Sequence, residues 1–595
     1  MKYAEYLLSE LASQEKYTHC YFVAGGNTMH LLDSARKIFK CIPVVNEVAA
    51  GIAAEYFNES NPNGDKAFAL VTAGPGLTNI VTAIAGAYLE SRELLVIGGQ
   101  VKSTDLKSLG LRQRGIQEID GRSIVEPICI ASETILEQKQ FSYIQRLLHA
   151  NERPGPVFLE IPLDIQGSEV RKFDEVEANR EIFVQENIEE TFLETIIIDL
   201  RNCSRPIILL GGGLSRDFTK RVKSDLENLG IPIMTTWNGM DRYGSEQRNY
   251  WGRPNTWGQR SSNVLIQQCD LLIAIGTRLG LQQTGFAWQD FAPLARIFQV
   301  DIDKAELEKG HPAIKAGLNM DADAFLSKLL LSLMEYEHDY SDWLSFGETV
   351  LRELPLNEKA NSTREKFVSP FRFMEILSNK LETSDVIIPC SSGGAFTVTM
   401  QAFSHKSGQI VVSNKGLASM GYGLSGAIGA AESTQSRTIL IEGDGGFAQN
   451  LQELGTLAAQ NLNVKIFIFS NAGYASIRMT QKNYFAGAYL GCDVETGLGL
   501  PNWEFISRAY GISYTILDKP DDIKPILESV LETREPELIE VKIDPDQTYF
   551  PKITSRILPS GEMASQPLHL MSPDLSLEQT KRYLPYLVDR IAPYT

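Results

Sequence analysis

Short apolar runs that end on glycine or proline recur through this chain, each followed by a stretch with helical spacing. CYFVAG, FALVTAG, LLVIGG and VFLEIP open the series, and PIILLGGG, IPIMTT, LLIAIG and IFQVDID continue it. VIIPCSSGG, IVVSNKG, TILIEGDGG, VKIFIFSN and ELIEVKID close it. Strands that alternate with helices imply parallel sheets with helices on both faces, because a parallel connection needs a crossover. Charged stretches at 171–190 and 336–368 interrupt the series. At 595 residues the chain is too long for one core. We therefore expect an α/β protein with three consecutive doubly wound parallel-sheet domains, over 1–170, 190–340 and 369–552. A Pro-rich, weakly patterned tail over 553–595 is expected to pack across a subunit instead of forming a domain. No exact sequence repeat relates the blocks, though the first and third look alike in layout.

Bulk properties narrow the function. The net charge of −18 argues against general binding to nucleic acid or anionic membranes. No run of eighteen apolar residues predicts a membrane span. The opening MKYAEYLLSELASQEK carries Glu5 and Glu10 within its apolar pattern, so it reads as an amphipathic helix and not a signal peptide. Seven scattered cysteines without a CxxC pair point to free thiols in a reducing cytoplasm.

The most informative segment is TILIEGDGGFAQNLQELGTLAAQNLNVKIFIFSNAGYASIR. A strand ends at Gly443-Asp444-Gly445-Gly446, a helix over AQNLQELGTLAAQ is expected next, and a second strand ends at Asn471. Asn471 follows Asp444 by 27 residues, the length of one strand–helix–strand crossover. Both side chains then reach the carboxyl edge of a parallel sheet, where such folds bind ligands. A carboxylate and an amide oxygen suit Mg²⁺, with phosphate oxygens completing the octahedron. Glycines allow backbone N–H groups to approach a diphosphate.

This unit resembles the cofactor motif of thiamine-diphosphate-dependent enzymes such as acetolactate synthase, pyruvate oxidase, pyruvate decarboxylase and benzaldehyde lyase. The resemblance implies Mg²⁺ on Asp444, Asn471 and the Gly473 carbonyl. It places Gly443, Gly445, Gly446, Tyr474, Ala475, Ser476 and Ile477 around the cofactor. In IPVVNEVAAGIAAEYF, Glu47 takes the place of the family's catalytic glutamate, which hydrogen-bonds N1′ of the aminopyrimidine and routes acid–base catalysis through it. Asn46 stands where many relatives have His. LVTAGPGLTN resembles the family's TSGPGATN turn, with Gly74, Gly76 and Asn79 near the cofactor. SNKGLASMGYGLSGAIGAA resembles GLGTMGFGLPAAIGA, which makes Met420 the apolar strut under the cofactor and gives the Ala418 carbonyl its 4′-amino group. Gly26, in the Gly25–Asn27 loop, and Gln117, in the family's Phe-Gln-Glu position, join Glu47 at the reacting centre.

Two stretches depart from acetolactate synthase. Its Gly-Gln-His run is Ser391-Ser392-Gly393-Gly394-Ala395 here, so Gly393 and Gly394 bind through backbone and leave room for a bulky acceptor. SLGLRQRGIQEIDG carries Arg112 and Arg114 and resembles acetolactate-synthase-like proteins that branch nucleotide-linked keto sugars. Guanidinium pairs suit phosphate, but the same pair reads equally as a solvated face. GTRLG (276–280) and VDID (300–303) resemble flavin-contacting segments and leave FAD open.

The expectation is a pyrimidine-binding, a central and a diphosphate-binding domain in a homodimer or homotetramer. The activity implied is decarboxylation of a 2-keto acid such as pyruvate, with carboligation of the two-carbon unit to a carbonyl acceptor. Plain acetolactate synthesis, decarboxylation or oxidation of a 2-keto acid, C–C hydrolysis and a catalytically silent regulatory homologue are the rivals.

Overall fold

A computed structural model describes residues 1–108, 110–173, 186–334, 336–390, 392–557 and 563–588. Three parallel sheets form in sequence. The first contains β1 (Tyr17–Phe22), β2 (Lys40–Pro43), β3 (Lys66–Val71), β4 (Leu94–Gln100), β5 (Ala131–Thr134) and β6 (Pro156–Pro162), in the order β2-β1-β3-β4-β6-β5. The second contains β7 (Pro206–Leu210), β8 (Ile233–Thr235), β9 (Leu271–Ile275), β10 (Arg296–Asp301) and β11 (Ile314–Asn319), in the order β11-β10-β9-β7-β8. The third contains β12 (Val386–Pro389), β13 (Ile410–Val411), β14 (Thr438–Gly443), β15 (Val464–Ser470), β16 (Ser513–Leu517) and β17 (Glu537–Lys542), in the order β13-β12-β14-β15-β17-β16. The first and third sheets therefore share one strand order. The likeness in layout seen in the sequence is a likeness of topology.

Strands β5, β11 and β16 were not among the apolar runs. Each pairs on one side only and carries a half-exposed burial pattern, so it needs less apolar sequence. The helix expected over AQNLQELGTLAAQ is also corrected. A short helix starts at Asp444 and stops at Phe447, and the next regular helix spans Leu454–Gln460. Asn450 interrupts it, because its buried amide donates to the Gly421 carbonyl at 3.1 Å and to Ser425 at 3.0 Å.

The first and third domains share a core. The Glu47–Ser60 helix crosses the Tyr422–Thr434 helix closely enough that a Cβ at Gly429 would overlap the Ala53 carbonyl. Apolar side chains of both domains merge into one buried cluster. A partly buried ionic chain ties in the central domain. Arg92 pairs with Glu55 at 2.9 Å and donates to the Ser413 carbonyl at 2.6 Å. Arg216 bridges Glu59 at 2.9 Å and Asp241 at 2.6 Å, and Asp241 accepts from the Val411 N–H at 2.8 Å.

The tail packs on its own chain where it is described. Its described part forms a hairpin (Ser555–Ile557 with Met563–Ser565) and a helix (Leu577–Tyr583). Leu568, Leu584 and Leu587 pack into a cluster with Leu272 and Trp343 of the same chain. Among the described residues, no helix is long and apolar enough to cross a membrane.

Candidate active site

The register of β14 and β15 sets Gly443 beside Phe469, so Asp444 and Asn471 leave neighbouring strand ends together. Asp444 is buried, and its carboxylate is held by backbone. Oδ1 accepts from Gly445 N–H at 2.7 Å, and Oδ2 from Asn471 N–H at 2.9 Å and Gly473 N–H at 3.2 Å. Burial pushes its pKa up to about 6, against the pull of those N–H groups. Asn471 is 7% exposed, and its Oδ1 has no hydrogen-bond partner. A buried acceptor without a donor is costly unless something else binds it. A hard cation is what a carboxylate and an amide oxygen at adjacent strand ends would take.

Gly473 has φ +144°, and a Cβ there would strike the Cys492 carbonyl. Glycine lets the chain turn sharply into the Ala475–Tyr484 helix, whose first turn has no side-chain cap. The Gly393–Ala402 helix is likewise uncapped by Ser392 and packs against the Ala475–Tyr484 helix. Two helices in contact, each with an uncapped N-terminus, offer a ready anion site. Gly393 has φ +81° and open space where a Cβ would go, whereas Gly394 lies against the Tyr549 ring. Ser391 lies outside the described residues.

The neighbouring glycines differ in the room around them. A Cβ at Gly445 would meet the Tyr474 ring, and one at Gly446 would come within 3.0 Å of Glu442 Oε1. Gly443 faces open space. Ala475 and Ser476 are partly exposed in the first helical turn, and Ile477 is exposed. Met420 is 41% exposed, and Gln449 donates both to its sulfur at 3.5 Å and to the Tyr474 hydroxyl at 3.4 Å. Ala418 adopts φ +55°, which turns the loop just before Met420.

The first domain assembles a second cluster at the matching edge. Glu47 opens its helix, is 8% exposed, and accepts from the Asn79 amide at 2.9 Å. A Cβ on Gly76 would stand 3.5 Å from Glu47 Oε1. Gly74, at φ +67°, makes room for the Gln117 carbonyl, and Gln117 itself has φ +62° with an exposed side chain. Gly26 is exposed at the end of β1 with open space around it. The structure thus gathers Glu47, Gly74, Gly76, Asn79 and the Gln117 backbone, and leaves Gly26 on the rim.

Three residues escaped the sequence reading. Glu442 sits buried under the Asp444 turn, and burial pushes it up to about 8. Its signal was a glutamate inside an apolar strand. Glu118 is buried, and accepts from the N–H groups of Lys107 at 2.5 Å, Arg114 at 2.9 Å and Gly115 at 2.8 Å. It folds the loop that carries the exposed Arg112 and Arg114. Glu453, hidden in a helical-looking stretch, reaches the first domain.

A cleft of about 1120 Å³ opens where the three domains meet. Gly276–Arg278 and Asp301–Asp303 line it, so the two flavin-like segments share one wall. Trp237 Nε1 and Asn238 Oδ1, also on the lining, are buried without partners. Burial raises Asp301 to about 6.

Comparison with known proteins gives the class. Three models of thiamine pyrophosphate (thiamine diphosphate) enzymes match in order: the N-terminal TPP binding domain over residues 1–124, the central domain over 193–329 and the C-terminal TPP binding domain over 392–541. The acetolactate synthase large subunit of Lactococcus lactis subsp. lactis is 28% identical over 555 residues, covering 91% of this chain and 92% of the relative. The acetolactate synthase isozyme 1 large subunit of Escherichia coli K12 is 27% identical over 542 residues, covering 89% and 92%. Chloroplastic acetolactate synthase 1 of Oryza sativa subsp. japonica is 28% identical over 502 residues, covering 82% and 76%. The chain belongs to the thiamine pyrophosphate enzyme family, on its acetolactate-synthase-like branch. It is a thiamine-diphosphate-dependent enzyme of the carboligase type.

Proposed function

We propose that this enzyme decarboxylates pyruvate and joins the two-carbon unit to a carbonyl acceptor larger than a second pyruvate, of the nucleotide-linked keto-sugar class. The observation that carries the cofactor half is the unpartnered Asn471 Oδ1 beside the backbone-held Asp444. Asp444, Asn471 and the Gly473 carbonyl would hold Mg²⁺, and the open helix N-termini at Gly393 and Ala475 would hold diphosphate. Thiamine diphosphate supplies, when bound, the nucleophilic carbon and the electron sink for loss of CO₂. Glu47, kept out of bulk water and hydrogen-bonded to Asn79, would hold the proton shared with the aminopyrimidine N1′. Met420 would brace the cofactor from its exposed position, and Ala418 would orient it through its carbonyl.

Pyruvate as donor is supported by the acetolactate synthases among the relatives. The larger acceptor is supported by the space at Gly393 and by Arg112 and Arg114 on the loop that Glu118 folds. Val45, Ile116, Met420 and Ile477 are large apolar side chains left exposed, which favours a second copy of the chain covering them, as a homodimer or homotetramer. The interdomain cleft, with its unpartnered Trp237 and Asn238 atoms, fits a dinucleotide such as FAD. An absorbance spectrum of the purified protein tests that reading.

The acceptor is tested by mass spectrometry of products from pyruvate, thiamine diphosphate and Mg²⁺, with and without a nucleotide-linked keto sugar. The expected result is CO₂ release and a sugar product heavier by one C₂H₄O unit. Acetolactate as the sole product would assign plain acetolactate synthesis. No CO₂ from pyruvate would overturn the donor.

A further inference from the structure

Glu453 belongs to the third domain, yet its carboxylate serves the first. It is fully buried. Oε1 and Oε2 each lie 3.2 Å from the Val45 N–H, and Oε1 also accepts from the Asn46 N–H at 3.1 Å. Thr456 donates its hydroxyl to Oε2 at 2.7 Å. Val45 and Asn46 are the two residues that precede Glu47. Asn46 in turn caps the Glu47–Ser60 helix, accepting from the Val48 N–H at 3.0 Å.

The residue type matters. A carboxylate offers acceptor lone pairs only, so both oxygens can face N–H donors, whereas an amide would turn a donor toward one of them. Bonds to an ionised acceptor are also shorter and stronger than neutral ones. Burial raises the Glu453 pKa, and the Thr456, Val45 and Asn46 donors oppose that shift. The direction in which Glu47 leaves the backbone is therefore set by a group nine residues beyond Asp444 on the same segment.

We propose that Glu453 is a positioning residue: it clamps the turn before Glu47 and ties the aim of that carboxyl to the diphosphate-side loop. The proposal rests on the acid–base reading of Glu47. It acts through backbone and needs no contact between Glu453 and the cofactor.

The test uses the full-length enzyme with thiamine diphosphate and Mg²⁺, as wild type, Glu453→Gln, Glu453→Ala and Glu47→Gln. Three quantities are measured: deuterium exchange at the thiazolium C2 of bound cofactor, cofactor affinity by quenching of tryptophan fluorescence, and the thermal midpoint. Misplacement by about 1 Å can cost about a hundredfold in rate. We expect exchange to slow about tenfold in Glu453→Gln and about a hundredfold in Glu453→Ala, with cofactor affinity within about threefold of wild type. Wild-type exchange in folded Glu453→Gln, with Glu47→Gln inactive, would overturn the clamp. Slow exchange that recovers at higher cofactor concentration would overturn it too, by assigning Glu453 to binding. Wild-type exchange in Glu47→Gln would instead remove the reading beneath it. If Glu453→Ala fails to fold, the near-isosteric Gln variant decides.

Discussion

Glu160 shows how single buried carboxyls shape this protein. It lies in β6, 4% exposed, and accepts from Gln100 at 3.0 Å and Thr134 at 3.2 Å. Burial lifts its pKa from an ordinary 4.5 to about 7, with Asp120 and Glu118 pushing the same way. Its raised pKa means that the folded state prefers the neutral form. The stability it contributes is complete below pH 4.5 and is lost as the pH rises through about 7. Glu160→Gln should match wild type near pH 4.5 and exceed it by about 2 kcal/mol at pH 8. Thermal midpoints at both pH values check this, and an equal difference at both would contradict it. The same physics explains what sequence reading caught. Asp444 and Asn471 stand at apolar strand ends with a glycine within two residues, where the pattern announces an exposed turn. Glu442 and Glu453 stood inside regular patterns, where a carboxyl looks like an ordinary strand or helix residue until its burial is known.

At the scale of elements, the central strands were legible because a parallel strand buried on both faces must be apolar. Edge strands β5, β11 and β16 were not, since exposure relaxes that demand. The helix after Asp444 breaks where the sequence predicts continuity, because helix propensity does not reveal that Asn450 bonds across to Gly421 and Ser425. The turn after β15 depends on one glycine. Gly473→Ala should move that turn away from Cys492 and Asp493, displacing the Gly473 carbonyl. Strain at such a conformation costs about 1–3 kcal/mol. Titration of Mg²⁺ in the presence of thiamine diphosphate should show affinity weakened at least about tenfold, the fold-change equal to about 1.4 kcal/mol. Unchanged affinity would remove Gly473 from the proposed metal site.

At the scale of the molecule, three sheets are held in one arrangement by the shared apolar cluster and by the Arg92 and Arg216 ion pairs. The three sheets are legible in the sequence but their docking is not, because long-range ion pairs leave no spacing signal. Removing one partner of a buried pair costs about 3–5 kcal/mol, chiefly by stranding the other charge. Arg92→Met should therefore lower the thermal midpoint clearly, and adding Glu55→Gln should recover most of the loss. Two independent, additive losses would contradict that coupling. The arrangement matters because it sets the Glu47 cluster and the Asp444 cluster at the carboxyl edges of two topologically alike sheets. We propose that these clusters serve one thiamine-diphosphate chemistry, with Glu47 supplying the acid–base group. Deuterium exchange at C2 of bound cofactor in Glu47→Gln tests it most directly. Exchange should slow by about 10²–10⁴-fold with cofactor affinity within about threefold of wild type. Exchange at the wild-type rate, with turnover intact, would contradict it.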